Sequence, residues 1–281
     1  MSSEGSVPSS DHPTIAVIGG GVMGGTLVSA LCVAGWPGAA ITVVDRNPER
    51  RAVLASSHGV ALAEDARAAV AGAGVAILAV KPQQMAAVLA ELSDALEPGT
   101  LVFTVAAALP ASFYEARLPA GTPVVRAMPN TPAVVGAGAT SISAGTHATE
   151  EHLALAERML RATGLVVRVD EPLIDAVIAV AGSAPAYFYA MVEALTEAGV
   201  MQGLEREMAT MLAQQTFVGA ARLLVESGDT PQELRRRVSS PGGTTLAALE
   251  AMANAGLQGV ISAGANAAVA RSKELGAQLS E

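Results

Sequence analysis

Three glycines at the spacing G-x-G-x-x-G, Gly19, Gly21 and Gly24, stand directly after the apolar run TIAVIG (14–19) and open a helix-like stretch. No other feature narrows the fold as much. A strand that turns through glycine into a helix is the first βα turn of a sheet that binds a dinucleotide. Gly19 permits the tight turn, Gly21 lets the backbone approach a pyrophosphate, and Gly24 lets helix and strand pack. The helix N-terminus then stabilises the phosphate charge. Asp45 ends the next apolar run, 21 residues beyond Gly24 (45 − 24), where a carboxylate can bind a ribose hydroxyl. Without a ligand the same residues would be a glycine-rich turn and no more. The strand before them, the helix after them and Asp45 favour the dinucleotide.

The rest of the first half repeats that alternation. ITVVD (41–45), AILAV (76–80), LVFTV (101–105) and VVRAM (124–128) are short Val- and Ile-rich runs bounded by Gly, Pro or Asp, and read as buried strands. Helical stretches fall at about 22–35, 48–56, 64–71 and 83–96. Residues 139–144 and 165–169 add two further strands with a helix near 150–162 between them. Strands alternating with helices imply βαβ units and a parallel sheet. After Val169 no convincing strand follows. Thr230-Pro231-Gln232-Glu233 fits a capping box with Pro at the first helical position. Ser183 is placed to cap a helix whose first turn includes Pro185, and Gly228 and Gly256 to stop helices. The expected fold is therefore α/β: a disordered tail over 1–12, a Rossmann-like parallel-sheet domain over 13–170, and an all-α domain over 171–281.

Composition sets the class of partner. The 281 residues carry 17 Lys+Arg against 26 Asp+Glu, a net charge of −9, which argues against nucleic acid. Mean hydropathy is +0.42, yet no stretch offers the ~20 apolar residues free of charge and breakers that a spanning helix needs. The hydrophobicity comes largely from alanine. One cysteine, Cys32, excludes an internal disulfide and any multi-cysteine zinc site, and no metal is expected. The first residues (MSSEGSVPSSDH) lack an apolar signal core, so the expected location is cytoplasmic. An alanine-rich helical half of this length buries little apolar area per helix. It is marginal alone, and stacking on a second copy is the natural remedy, although packing on its own α/β domain is the alternative.

A second candidate site is Ser239-Ser240-Pro241-Gly242-Gly243-Thr244-Thr245, a turn feeding the helix LAALEAM. Free backbone N–H groups at a helix start suit a small carboxylate, and the two threonine hydroxyls can meet a ligand nitrogen. An ordinary capped helix start reads the same way. No catalytic dyad stands out: His12, His58, His147 and His152 read as surface residues, and Cys32, inside the first helix, as packing. Cofactor choice is left open by the residues. The Asp45 carboxylate repels a 2′-phosphate and favours NAD, whereas Arg46, Arg50 and Arg51 follow at once and suit NADP.

Two further stretches complete a pattern. They are Arg126-Ala-Met-Pro-Asn-Thr-Pro-Ala-Val-Val-Gly136 and Asp175-Ala-Val-Ile-Ala-Val-Ala-Gly-Ser-Ala-Pro-Ala-Tyr187. With the glycine loop, Val80-Lys81-Pro82 and the Ser-Pro-Gly-Gly-Thr-Thr segment, the chain resembles the pyrroline-5-carboxylate reductase family over about 13–277. The resemblance implies hydride transfer from NAD(P)H to the C=N carbon of 1-pyrroline-5-carboxylate, giving L-proline, the last step of proline biosynthesis. It implies a helical dimerisation domain with interlocked helices, in a homodimer or an assembly of dimers. By match to its motifs, Ile18, Gly19, Gly20, Gly21, Val22 and Met23 would hold the pyrophosphate. Asp45 and Arg46 would meet the adenosine ribose and its phosphate. Ala79, Val80, Lys81 and Pro82 would approach the nicotinamide half, and Val105, Ala106 and Ala107 would line the same cleft. Ser240, Gly242, Gly243 and Thr244 would bind the carboxylate of the cyclic imino acid, with the Thr245 hydroxyl facing its ring nitrogen as the catalytic group. Together with the arginines, the resemblance favours NADPH, with NADH as the alternative.

This sequence departs from the family pattern at three places. Gly-Ser-Gly-Pro-Ala appears as Gly182-Ser183-Ala184-Pro185-Ala186, small polar positions before it are Ile178 and Ala181, and Ala-Ala-Gly after the fifth strand ends in Ala108. A related cyclic imine is therefore an alternative substrate. A hydroxyacid dehydrogenase would share the plan, but would resemble its own family in a helix-borne lysine of the second domain. Here only Lys81 and Lys273 exist, and Lys273 is near the C-terminus. A nucleotide-binding protein without turnover is the third reading.

Overall fold

A computed structural model describes residues 12–280. The disordered-tail expectation thus falls, except for His12, outside the described residues. The strands are β1 (Ile15–Ile18), β2 (Ile41–Val44), β3 (Ala61–Leu62), β4 (Val75–Leu78), β5 (Leu101–Thr104), β6 (Val124–Met128), β7 (Gly138–Ala144) and β8 (Gly164–Arg168). They form one sheet in the order β3-β2-β1-β4-β5-β6-β7-β8, whose first six positions are those of a dinucleotide-binding sheet. The helices of this half are α1 (Val22–Val33), α2 (Pro48–His58), α3 (Ala66–Val70), α4 (Pro82–Leu92), α5 (Ala111–Glu115) and α6 (Glu150–Leu160).

Alternation along β1 shows why the sheet is covered on both faces. Ile15 and Val17 join a core with Leu27, Val28 and Leu31 of α1 and Met159 of α6. Ala16 and Ile18 join the other core, with Met85, Leu89 and Leu92 of α4. Both sets are buried, as a strand with helices on both faces requires.

Two strand features differ from the sequence expectation. β3, only two residues long, pairs with Thr42 and Val43 at the edge; Ala-Leu in isolation carries no strand signal. β7 runs antiparallel to β6. The nine residues between them (129–137), holding a short 3₁₀ helix over Thr131–Val135, are too few for a parallel crossover. β8 returns parallel to β7 after α6.

From Asp170 onward every element among the described residues is helical: a 3₁₀ turn over Glu171–Leu173, α7 (Ile174–Val177), a π turn over Ile178–Gly182, α8 (Ala184–Met201), α9 (Arg206–Glu226), α10 (Pro231–Arg237), α11 (Thr244–Asn254) and α12 (Leu257–Ser280). Gly228 and Gly256 do adopt the left-handed conformation after α9 and α11 (φ +70° and +84°). Ser183 does not cap α8: it has helical φ and ψ and makes no capping bond, because the π turn runs straight into the helix. At α10 half the box forms. Thr230 Oγ1 accepts from Glu233 N (3.2 Å), but the Glu233 carboxylate takes Arg236 and Arg237 instead of reaching back.

The chain divides into two compact units, one of residues up to 182 together with those from 268 on, the other of 183–267. Within the second unit α8 packs on α9 through Phe188 and Phe217, with ring centroids 5.4 Å apart. This unit buries few side chains and exposes many large apolar ones, among them Tyr189, Met201, Val225 and Val260. By length and composition the helical run Glu171–Met201 is apolar enough to cross a membrane. It also contains Asp175, Gly182, Pro185 and Glu193.

Candidate functional site

The register of β2, β1, β4 and β5 aligns Val44, Ile18, Leu78 and Thr104 at one edge of the sheet. The segments leaving those residues, 19–24, 45–47, 79–82 and 105–108, therefore converge at the carboxyl ends of the strands, where a sheet of this order changes direction between β1 and β4. The glycine loop is shaped by close backbone approach. Gly19 has φ +105°, and a Cβ on it would fall 2.7 Å from Ala79 O. A Cβ on Gly24 would fall 1.8 Å from Gly19 O, so only glycine lets α1 begin here. At Gly21 the same Cβ would find only Arg50 Nη1, 4.0 Å away. α1 has no side-chain cap, leaving the amides of its first turn directed at open space.

Asp45 does more than mark the end of β2. Its Oδ2 accepts from Gly20 N (2.8 Å) and its Oδ1 from Asn47 N (2.7 Å). The carboxylate ties the glycine loop to the β2–α2 turn. Asn47 then caps α2 by accepting from Glu49 N and Arg50 N, a role its place before Pro48 makes legible. Asp45, Arg46 and Arg50 line a cavity of about 390 Å³ with Gly19, Val80 and Lys81. Arg46 and Arg50 are exposed, and neither has an ion-pair partner among the described residues. Both signs of charge thus stand together in this cavity.

On the opposite flank, Ala79 N donates to Ile18 O (2.8 Å) and Val105 N to Leu78 O (3.1 Å), fixing both loops to the strand ends. Two residues that sequence reasoning did not single out hold the second loop. Thr104 Oγ1 accepts from Ala106 N (3.3 Å) and lies 2.8 Å from the Tyr114 hydroxyl, both side chains being buried. Burial pushes the Tyr114 hydroxyl up to about 12. Ala108, at the family's glycine position, has φ +71°, the one non-glycine residue with positive φ among the described residues.

Of the residues expected near the substrate, Ile178 and Ala184 are buried and Ala181 half-buried. Asn130 anchors this stretch: Nδ2 donates to Ala181 O (3.1 Å) while Oδ1 accepts from Ala139 N (2.9 Å). No spacing in the sequence signals that bond. Cys32 packs against the core of α1, and burial pushes its thiol up, so it is a poor nucleophile.

In the second unit, Ser240-Pro241-Gly242-Gly243 is a Pro-Gly turn, with φ +71° at Gly242 and Gly243 N donating to Ser240 O (3.0 Å). The Gly243 amide is therefore committed to the turn, contrary to its expected role as a donor to substrate. α11 starts at Thr244 with no side-chain cap, so the free amides are those of Thr244, Thr245 and Leu246. Leu246 was not anticipated, because the turn's own hydrogen bond is invisible in the sequence. The hydroxyls of Thr244 and Thr245 make no hydrogen bond among the described residues, and Thr245 is half-buried.

The chain and its fold have counterparts among known proteins. A family model for pyrroline-5-carboxylate reductase dimerisation matches residues 171–275. One for NADP oxidoreductase, coenzyme F420-dependent, matches 14–108. The pyrroline-5-carboxylate reductase of Pseudomonas aeruginosa is 42% identical over 270 residues, covering 96% of this chain and 99% of that one. This chain belongs to the pyrroline-5-carboxylate reductase family. The reductase of Mycobacterium tuberculosis is 41% identical and covers 93% of this chain and 96% of its own length. The solved pyrroline-5-carboxylate reductase from Coxiella burnetii matches with TM-score 0.89 at 38% identity, over 94% of this chain and 98% of that one. The Plasmodium falciparum pyrroline carboxylate reductase with NADP bound (TM-score 0.83, 23% identity, 95% and 99% covered) shows the shared fold. A Mycobacterium tuberculosis 3-hydroxyisobutyrate dehydrogenase (TM-score 0.50, 22% identity, 68% of this chain and 66% of that one covered) shares the fold alone.

Proposed function

We propose that this chain transfers hydride from a reduced nicotinamide dinucleotide to 1-pyrroline-5-carboxylate, giving L-proline. The observation that carries the reading is identity of about 40% to pyrroline-5-carboxylate reductases over nearly the whole length of both chains. The glycine loop fits such a cofactor. The open space at Gly21 and the uncapped first turn of α1 suit a pyrophosphate, which Gly21, Val22 and Met23 would bind through their amides. When bound, the cofactor supplies the hydride. Asp45 and Arg46 would hold the adenosine ribose, and Arg46, free of ion pairs among the described residues, supports NADPH over NADH. Ala79 to Pro82 and Val105 to Ala107 would keep water from the nicotinamide face.

The chemistry asks little more of the protein. A protonated cyclic imine is already electrophilic, so orientation supplies much of the rate. The amides of Thr244, Thr245 and Leu246 would take the carboxylate at the α11 N-terminus, and Ser240 and the turn through Gly242 and Gly243 shape that pocket. The Thr245 hydroxyl would accept from the protonated ring nitrogen and lose that bond as the product amine leaves.

The proposal extends to a cytoplasmic enzyme working as a homodimer or an assembly of homodimers. The dimerisation-family match over 171–275 and the exposed apolar side chains of 183–267 support association with further copies. The test is the oxidation of NADPH by purified protein: it should require 1-pyrroline-5-carboxylate and yield proline in equal amount. Cofactor binding without turnover would leave a nucleotide-binding protein instead.

A further inference from the structure

A further cavity, of about 450 Å³, lies in the first unit and shares no lining residue with the one along the glycine loop. Four charged side chains line it: Arg126, Glu171, Asp175 and Lys273. Arg126, on β6, has a side chain only 7% exposed. Its Nη1 donates to Glu171 Oε1 at 3.0 Å, and that same oxygen accepts from Ala111 N at 2.7 Å. The other guanidinium N–H groups have no partner among the described residues. They are not sealed off either, since the buried side-chain atoms without partners are Trp36 Nε1 and the hydroxyls of Thr140, Ser141 and Ser143. Arg126 lines the cavity, with these nitrogens unpartnered among the described residues. Asp175 Oδ1 accepts from Ser272 Oγ at 2.7 Å, leaving Oδ2 without a partner among the described residues. The Lys273 ammonium forms no ion pair among them.

The cavity therefore presents cationic donors and carboxylate acceptors together, two of each sign. A simple anion would meet Glu171 and Asp175; a simple cation would meet Arg126 and Lys273. Arg126 and Glu171 already pair with each other, and a ligand carrying both charges offers a charge-assisted partner to each set without setting a like charge beside either. The remaining wall is Ala108, Pro110 and other small or apolar residues, which suits a short aliphatic side chain. Ala108 is also the residue held at φ +71°, with its carbonyl 2.7 Å from the position a Cβ on Gly276 would take. Backbone strain of this kind gathers at ligand sites. We propose that this cavity binds a small aliphatic α-amino acid as its zwitterion, the carboxylate on Arg126 and Lys273 and the ammonium on Asp175 and Glu171.

The probes are L-alanine, L-valine and L-proline, with propanoate and propylamine carrying one charge each. Binding to the full chain is followed by ligand-observed NMR and by calorimetry. At least one amino acid should bind, and the two singly charged probes should bind more weakly by about tenfold or more, the value of a lost charged hydrogen bond. Lys273→Gln, at an exposed position, should weaken the amino acid by a similar factor with unchanged thermal unfolding. Asp175→Asn, which keeps an acceptor for Ser272, should do the same. Thr245→Val should leave this binding intact. No binding of any amino acid, equal binding of propanoate, or loss in Thr245→Val rather than Lys273→Gln would each overturn the assignment. The last would place the amino acid at the α11 loop.

Discussion

Asp45→Asn separates two roles for one carboxylate. If Asp45 acts only by repelling a 2′-phosphate, the neutral amide should improve NADPH and leave the fold unchanged. The structure gives a different expectation. Both oxygens accept backbone N–H groups, Gly20 N at 2.8 Å and Asn47 N at 2.7 Å. An amide has one acceptor, so its NH₂ must face one of those donors. One charge-assisted bond, about 1.5–3 kcal/mol, is lost, and the other falls to a neutral bond, a further ~0.5–1 kcal/mol. The sum is about 2–4 kcal/mol, and it falls on the junction of the glycine loop with β2. Urea unfolding of the apo protein should show that loss at unchanged m. Steady-state kinetics should show kcat/KM falling for NADH and NADPH alike. Wild-type stability with a selective gain for NADPH would refute the clamp.

Arg46→Ala should lower kcat/KM for NADPH by roughly tenfold more than for NADH; equal losses would show that Arg46 does not read the 2′-phosphate. Thr245→Val should cost about 10- to 150-fold in kcat/KM for the imine with cofactor affinity nearly unchanged, and wild-type turnover would remove Thr245 from the mechanism. Tyr114 supplies a pH test. Its folded value of about 12 lies above the unfolded ~10, so the unfolded chain releases its proton first and stability falls as pH rises between those values. At about pH 11 the loss is ~1.4 kcal/mol. Chemical unfolding of Tyr114→Phe should lack this slope; an identical slope would put its origin elsewhere.

The elements legible in the sequence were those with a local physical signature. β1 and α1 announce themselves because the glycines, the Val-Ile run and the acidic end of β2 all concern neighbours in the chain. The α10 start was legible for the same reason, since Thr230 and Pro231 act within one turn. What could not be read depends on distant contacts. The direction of β7 follows from a short connection, and Tyr114 reaches Thr104 only once α5 lies on the sheet. Asn130 holds Ala181 across 51 positions. Gly243 shows the limit at the candidate site itself. The Pro-Gly turn was visible, but its hydrogen bond takes up the Gly243 amide and leaves free those of Thr244, Thr245 and Leu246.

The central claim is direct hydride transfer to a cyclic imine carbon, and isotopic labelling tests it. NADPH carrying deuterium at both hydrogens of the reactive nicotinamide carbon is incubated with the purified chain and 1-pyrroline-5-carboxylate, and the product is read by NMR and mass spectrometry. The account predicts proline with one deuterium, on the ring carbon that adjoins nitrogen and lacks the carboxylate. Unlabelled proline, label at another carbon, or no proline at all would contradict it.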